Sequence, residues 1–341
     1  MFININLSKK IFFITLIMST LFSISSNSWL NAWMGMEMNL MSFIPLMINN
    51  KNSLSSESMM KYFLVQAISS SNFLFMILIM FMYIPWNHMN NYMNISLIIL
   101  NLTLLMKMGA APFHWWFPKV MKKISWMNCF ILSSWQKIIP MIMISYWNYE
   151  MMLMTSIIMS TIIGSVMGFN QTSLQLIMSY SSINHIGWML SSLLISLNLW
   201  MVYFSIYSFL TFIIMYFFMK TKSFHLMQIY SLKIPILMKF FFIINLISMG
   251  GLPPFLGFFP KWMIINYLMM NNMIMLIFIM IMTALINLYY YIRITYSFMM
   301  INYFEIKWFS SNKFNHSNYM SIMSYLSITS LIMSTLMFNF I

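Results

Sequence analysis

Long apolar stretches alternate with short polar ones along the whole chain, and their lengths predict helices that cross a membrane. A helix needs about 20 apolar residues to span the hydrocarbon core of a bilayer. By this length and by the polar breaks, we count about eleven such stretches. They lie at residues 11–26, 28–48, 59–82, 95–120, 126–147, 150–168, 174–196, 200–219, 240–270, 273–298 and 319–340. The pattern predicts an all-α membrane protein.

The fourth and ninth stretches are each interrupted by glycine and proline in closely similar strings. Residues 108–119 contain MGAAPF and then FPK, and residues 249–261 contain MGGLPPF and then FPK. Proline removes helix hydrogen bonds, so carbonyl groups freed at membrane depth must face protein or water. We therefore expect two discontinuous helices, with breaks near 107–114 and 249–261, that line hydrated cavities.

The same strings indicate an internal repeat. They lie five spans apart, an odd number, so the two copies would run through the membrane in opposite directions. Inverted repeats with paired broken helices are typical of transporters. Glycine and proline are common in membrane helices generally, but two matched strings favour a repeat. We expect two inverted five-helix repeats, 1–147 and 150–298, followed by a loop and a C-terminal helix at 299–341.

Charged residues are few and fall mainly on one side of the predicted membrane. The chain has 17 Lys and Arg against 4 acidic residues, a net charge of +13. With alternating spans, 12 of the 17 cations lie in loops on the N-terminal side and the other 5 lie inside spans. Cations gather on the cytoplasmic or matrix side, so the basic balance reflects topology rather than nucleic-acid binding, and the N-terminus is predicted in the matrix. Lys61 and Arg293 are expected to extend toward that surface.

Composition excludes a soluble domain. Hydrophobic residues make up 61% of the chain and charged residues 6%, whereas a soluble domain carries about 25% charged residues. Cys129 is the only cysteine, which excludes a disulfide framework and a cysteine metal cluster. The 46 methionines are typical of AT-rich mitochondrial coding, and the start of the chain has no Arg-rich presequence. We therefore expect a chain made inside mitochondria.

Four ionisable residues are predicted near the middle of the membrane: Glu37, Lys107, Lys137 and Lys261. A charge at the bilayer centre costs about 2.5–3.5 kcal/mol on insertion scales, so such groups indicate a function. Burial disfavours the charged form of a lysine, and a nearby carboxylate favours it. A lysine between these influences can take up and release a proton, and Glu37 with Lys107 would form such a pair. The alternative is a static structural ion pair.

His185 and His114 are weaker candidates for the same relay. His185 lies in the middle of the seventh stretch, and His114 directly follows the first predicted break. Imidazole titrates near neutral pH, so His185 could pass protons between lysines. The alternative for both is a hydrogen bond to a neighbouring helix. The predicted proton relay consists of Glu37, Lys107, Lys137, Lys261, His185 and His114.

Several strings resemble those of the antiporter-like subunits of respiratory complex I, most closely the insect mitochondrial form. The resemblance extends over essentially the whole chain. The matching strings are SWL at 28–30 with EMNL at 37–40, GAAPFHWWFP at 109–118 after Lys107, WQK at 135–137, SSINHIGW at 181–188 and GGLPPFLGFFPKW at 250–262.

The resemblance implies an antiporter-like fold with two inverted five-helix bundles, in a subunit that contributes to proton pumping driven by NADH:ubiquinone oxidoreduction. It implies that Glu37 and Lys107 form the ion pair at which protons enter, and that Lys137 and Lys261 continue the mid-membrane axis. The second repeat departs from the family's pattern, because it offers His185 but no Glu that mirrors Glu37.

The resemblance also implies that the redox chemistry lies on other subunits. These would bind NADH, FMN, iron–sulfur clusters and ubiquinone; this chain has one cysteine and no Gly-x-Gly-x-x-Gly string. We expect no metal or cofactor site in this chain. Its expected partners are other membrane-arm subunits, including further antiporter-like ones, and phospholipids of the mitochondrial inner membrane.

Two other functions stay open from the sequence. The chain could be a free-standing secondary cation/proton antiporter, or a structural subunit whose buried charges are vestigial. An antiporter usually presents acids near its unwound helices, whereas this chain has one mid-membrane acid and several lysines. That balance favours protons over sodium.

Overall fold

A computed structural model describes residues 7–48, 53–83, 90–230, 235–253 and 255–299. These residues are helical apart from turns, loops and one isolated antiparallel bridge between Ser173 and His225. The last predicted stretch, 319–340, lies outside the described residues. The prediction of an all-α fold is confirmed for the part of the chain that the structure describes.

The helices belong to two compact units that divide between Ser160 and Thr161. The first unit contains α1 (Leu7–Ile24), α2 (Trp29–Met47), α3 (Ser53–Tyr83), α4 (Asn90–Met108), α5 (Trp116–Met121), α6 (Trp126–Ser133), a 3-10 turn (Trp135–Lys137), α7 (Ile138–Tyr146) and the first half of α8 (Glu150–Phe169). The second unit contains the rest of α8, α9 (Leu174–Ile195), α10 (Leu197–Thr221), α11 (Leu226–Tyr230), α12 (Ile236–Gly250), α13 (Phe258–Met270) and α14 (Ile274–Met299).

Six described segments are long and apolar enough to cross a membrane. They are Leu7–Ile24, Ser53–Met82, Trp126–Tyr146, Glu150–Phe169, Leu197–Thr221 and Ile274–Tyr296. The helices that precede the two predicted breaks add shorter apolar segments, Ile95–Met108 and Leu237–Gly250. The multi-pass character that the sequence predicts is thus confirmed, and the count of eleven spans stays a prediction.

Both predicted interruptions are present, and each begins where a glycine ends a helix. α4 ends before Gly109 (φ 73°), and α12 ends before Gly251 (φ 84°). A left-handed residue turns the chain so that the next N–H groups can bond to carbonyls of the last helical turn. The Ala110 N–H donates to the Leu105 carbonyl at 3.0 Å, and the Gly251 N–H donates to the Ile247 carbonyl at 3.1 Å. Glycine, rather than the following proline, therefore ends each helix.

The fifth predicted stretch, 126–147, contains a third interruption that the sequence analysis did not predict. The turn Trp135–Lys137 separates α6 from α7. Proline has no N–H, and its ring clashes with the carbonyl four residues earlier in a helix. Pro140 acts in this way on Gln136 and explains why the backbone tightens here. The sequence analysis expected two discontinuous helices, and the structure adds this 3-10 turn within the fifth stretch.

Glycines allow two helix pairs to approach closely. A Cβ atom on Gly35 of α2 would lie 2.7 Å from Ser23 Cβ of α1, and one on Gly164 of α8 would lie 2.6 Å from the Asn184 backbone nitrogen of α9. Association of membrane helices depends on such close packing of small residues. Asn184 Nδ2 also donates to the Thr161 carbonyl at 3.2 Å across the α8–α9 contact.

Gly164→Ala should destabilise the second unit, because the added methyl group would overlap the backbone of α9. Overpacking of this kind typically costs about 1–3 kcal/mol. Thermal denaturation of the protein in detergent would measure the loss. Ser165→Ala is the matched control, since the Ser165 hydroxyl donates to the Ile162 carbonyl of its own helix rather than to α9. An equal effect of the two substitutions would contradict the prediction.

Candidate proton-relay site

Lys107 lies in the last turn of α4, directly before the break, and is 8% exposed. Its Nζ lies 3.4 Å from the sulfur of Met36 on α2 and 5.8 Å from the ring centre of Phe73 on α3. The Lys107 carbonyl has no helical partner at the break and accepts a 3.0 Å hydrogen bond from Gln66 Nε2. The amine therefore points into the first unit rather than toward lipid.

Glu37 follows Met36 on α2 and is half-buried. Met36 contacts Lys107 Nζ, which brings Glu37 to the same part of the unit, but the two charged side chains do not form an ion pair within 4.0 Å. The structure places this predicted pair in electrostatic reach without a direct contact. A small rearrangement of either side chain would change that interaction, because Coulomb energy at short range in a low-dielectric interior depends steeply on distance.

The direct ion pairs among the described residues lie elsewhere, at the start of α3. Glu57 pairs there with Lys61 and with Lys123. The sequence analysis expected Lys61 to extend toward the membrane surface, and it did not identify Glu57, four residues earlier, as its partner. Residues at this spacing face each other on a helix, so the pattern itself carried the signal.

Lys137 is the most deeply buried of the predicted lysines, at 1% exposure. It ends the 3-10 turn between α6 and α7, and its Nζ lies 5.2 Å from the ring centre of Phe117 on α5. Phe117 in turn packs at the first break, where a Cβ on Gly109 would lie 3.0 Å from it. Lys107 and Lys137 thus both lie beside interruptions in their helices.

A pair of side-chain amides holds the turn that carries Lys137. Asn39 of α2 and Gln136 form a reciprocal pair, with hydrogen bonds of 3.0 and 3.2 Å between their side-chain amides. The Tyr62 hydroxyl donates to the same Gln136 oxygen at 3.4 Å. Asn39 is two residues from Glu37, so this pair links the helix of the acid to the turn of Lys137. The sequence analysis assigned these amides no role, although EMN and WQK stood among the matched strings.

His114 lies in the first break and is buried. Its ring packs beside that of Trp115 with 4.9 Å between the ring centres. Nδ1 has no hydrogen-bond partner among the described residues. Trp116 bridges the same break, because its indole N–H donates to the Met106 carbonyl at 3.1 Å. The part of His114 in proton transfer stays a prediction.

His185 of α9 lies in the second unit and is 5% exposed. Its Nδ1 lies 2.7 Å from the hydroxyl of Tyr203 on α10, and the ring of Tyr207 lies 5.0 Å away between centres. This contact with a neighbouring helix is the one that the alternative interpretation expects. It equally fixes the direction of the imidazole, and the sequence analysis did not single out Tyr203.

A cavity of ≈ 10 Å³ lies between His185 and the break after α12. Tyr203, Tyr207, Ser248 and Met249 also line it. A cavity needs about 10–15 Å³ to hold one water molecule, so this one has room for a single water at most.

Lys261 of α13 is 5% exposed and reaches back across this break. Its Nζ donates to the Gly250 carbonyl at 2.9 Å and to the Met249 carbonyl at 3.4 Å. The ring centre of Trp188 lies 5.7 Å from the same nitrogen. The contacts of Lys261 differ from those of Lys107, because backbone oxygens rather than an acidic side chain face the amine.

The described residues contain no group of three or more His, Cys, Asp or Glu that could hold a metal ion. The candidate site contains three separate buried amines and one half-buried carboxylate. Imidazole and phenol groups lie beside the broken helices. Such groups can exchange protons with water or with each other.

Comparisons with known proteins identify the family of the chain. Residues 26–287 match the family described as "NADH:quinone oxidoreductase/Mrp antiporter, TM". NADH-ubiquinone oxidoreductase chain 2 of Anopheles gambiae is 48% identical over 337 residues, which cover 97% of this chain and 98% of that protein. The protein of the same name from Locusta migratoria is 45% identical over 313 residues, 91% of each chain.

The fold has relatives among solved structures as well. A chain of respiratory complex I from Thermus thermophilus, determined with bound aureothin, superimposes with a TM-score of 0.83. The match covers 97% of this chain and 80% of that one at 16% sequence identity, so it supports the fold alone. Taken with the sequence matches, it shows that the chain belongs to the NADH:quinone oxidoreductase/Mrp antiporter family of membrane proteins.

Proposed function

We propose that this chain is a proton-translocating membrane-arm subunit of NADH:ubiquinone oxidoreductase, complex I. The assembly is inferred from the relatives, since proteins 45–48% identical over nearly the full length are named as chain 2 of that enzyme. The observation that carries the role in pumping is the burial of three lysines, Lys107, Lys137 and Lys261, at 8%, 1% and 5% exposure. A scaffold would have no reason to retain amines where they are costly.

The environments of the lysines explain how protons could be driven through them. A lysine far from water favours its neutral form, and a neighbouring negative charge favours the ammonium form. Glu37 acts on Lys107 from beyond contact distance. A change of charge or position at one site therefore changes the proton affinity of its neighbour, and successive changes move a proton.

The topology belongs to the same proposal. Eleven spans, with the N-terminus in the matrix, put the loop cations on one side as the positive-inside rule requires. Two inverted five-helix repeats, 1–147 and 150–298, are supported by left-handed glycines that end a helix at both breaks. The inner mitochondrial membrane is the location of the assembly that the relatives' names imply.

The partners would be the other membrane-arm subunits, among them further antiporter-like ones, together with membrane phospholipids. NADH, FMN, iron–sulfur clusters and ubiquinone would bind to other subunits. The antiporter alternative draws support only from the second half of the family's description, whereas both reported relatives are named as chains of the oxidoreductase.

Lys137→Met should lower proton pumping at least about tenfold, because the buried position would lose its only titratable group. Rotenone-sensitive ubiquinone reduction should fall with it, while NADH oxidation by an artificial electron acceptor should continue. Proton uptake by inner-membrane vesicles would measure pumping. Lys122→Met is the control, since Lys122 is an exposed cation. Unchanged pumping per electron in Lys137→Met would favour the scaffold interpretation.

Glu37→Gln should reduce pumping several-fold, because the charge that acts on Lys107 is removed while side-chain size is kept. Glu57→Gln is the matched control: it removes an equally sized acid, which lies near the start of α3 and pairs with Lys61 and Lys123. We expect the control to keep nearly full activity, as exposed ion pairs contribute about 0–1 kcal/mol. Comparable losses in the two variants would count against a special role for Glu37.

The chain should comigrate with NADH dehydrogenase activity when mitochondrial membranes are solubilised mildly and separated by native electrophoresis. Immunoblotting of the same gel would locate the chain. A subunit of a large assembly is expected only in the high-mass band that oxidises NADH. Recovery of the chain as a small species that exchanges cations for protons in liposomes would instead establish the antiporter.

A further inference from the structure

The end of α12 presents backbone oxygens to a buried amine. The last four carbonyls of a helix lack intrahelical partners and carry the negative end of the helix dipole. Two of these, from Met249 and Gly250, accept hydrogen bonds from Lys261 Nζ at 3.4 and 2.9 Å. The face of the Trp188 ring, 5.7 Å from the nitrogen, adds further negative potential.

No acidic side chain competes for this amine in the surrounding sequence. Residues 151–304 contain neither Asp nor Glu. A buried ammonium group nevertheless needs an opposing charge or dipole, since burying it without one is strongly unfavourable. Within the described part of the second unit, the end of α12 meets that need for Lys261.

Gly251 makes the contact between the amine and the helix end possible. Its φ of 84° is the left-handed conformation that turns the chain after α12. A Cβ at this residue would lie 2.8 Å from Lys261 Nζ and 3.0 Å from Lys261 Cδ. Any other residue would therefore push the lysine side chain away from the carbonyls that it contacts.

We propose that Gly251 is a positioning residue, which keeps the Lys261 ammonium on the C-terminal carbonyls of α12 so that these serve as its counter-charge in place of a carboxylate. The inference rests on the proposed function, because it concerns how one lysine of the relay is held. Movement of α12 relative to α13 would then alter the proton affinity of Lys261, as movement of Glu37 would alter that of Lys107.

The other break shows that the arrangement is particular to this site. Gly109 is also left-handed, yet a Cβ there would meet Phe117 rather than an amine. Lys119, which follows Phe117-Pro118 as Lys261 follows Phe259-Pro260, is exposed. Similar strings thus give the glycine a hydrophobic neighbour in one unit and a cationic neighbour in the other.

Gly251→Ala in the assembled complex tests the proposal. We expect at least a tenfold loss of proton pumping, with NADH oxidation by an artificial acceptor retained and the complex intact on native gels. Gly250→Ala adds the same methyl group one residue earlier, where the nearest atom is Leu288 Cγ at 3.5 Å. We expect its loss to be several-fold smaller. Equal pumping in Gly251→Ala and the unaltered protein would overturn the proposal.

Chemical rescue provides a second test that does not depend on the folding of Gly251→Ala. Lys261→Ala should lose pumping and regain a measurable part of it with ethylammonium, whose N–H groups can bond to the exposed carbonyls. Tetramethylammonium has the same charge but no N–H donor and should not rescue. No rescue by ethylammonium in an assembled complex, or equal rescue by both ions, would overturn the proposal.

The two tests separate this inference from the proposed function. If Lys261→Ala pumps normally, Lys261 is not part of the relay and the proposed function fails in the second unit. If Lys261→Ala loses pumping but Gly251→Ala does not, the relay stands and the positioning role of Gly251 is wrong.

Discussion

A polar group inside the hydrocarbon core of a bilayer has no bulk water to bond to, and this constraint governs both the broken helices and the buried amines of the site. Backbone groups are satisfied within helices, so a helix that breaks at membrane depth exposes carbonyls that need donors. Buried side-chain amines, in turn, need hydrogen-bond acceptors. Each predicted lysine lies beside an interruption: Lys107 before the first break, Lys137 in the 3-10 turn, and Lys261 after the last break. At Lys261 the two needs are met by one contact, because the amine donates to the Gly250 carbonyl at the end of α12.

The nature of the compensation differs among the three lysines, and this difference matters for proton transfer. Lys107 experiences a carboxylate from beyond contact distance, whereas Lys261 contacts backbone carbonyls directly. A carboxylate can itself take up a proton and so switch its influence off. The carbonyl groups at a helix end cannot take up a proton, so their interaction with the amine changes only when the helix moves. Proton affinity can therefore respond to charge at one lysine and to backbone geometry at the other.

The sequence predicted those parts of the fold and site that depend on local pattern. Apolar length located the helices, paired strings located two of the three interruptions, and the rarity of charge singled out Lys107, Lys137 and Lys261. It did not predict the Asn39–Gln136 pair, because those residues are 97 positions apart and their pairing depends on tertiary packing. The bond between His185 and Tyr203 likewise joins two helices. Pro140 was visible, but a single proline in an apolar stretch does not show by itself that the helix breaks.

The repeated strings show why sequence similarity within a chain does not fix the role of each residue. In both units a left-handed glycine ends a helix, because the glycine performs a backbone task that is independent of its surroundings. The lysines do not follow the strings in the same way. Lys119 is exposed, Lys261 is buried, and the buried amine beside the first break belongs to Lys107, which precedes its glycine instead. A buried cation is stable only where some partner compensates it, so its position is set by the available acid or helix end. The two strings therefore share the helix break, whereas the position of the buried lysine beside each break depends on the acid or helix end available in that unit.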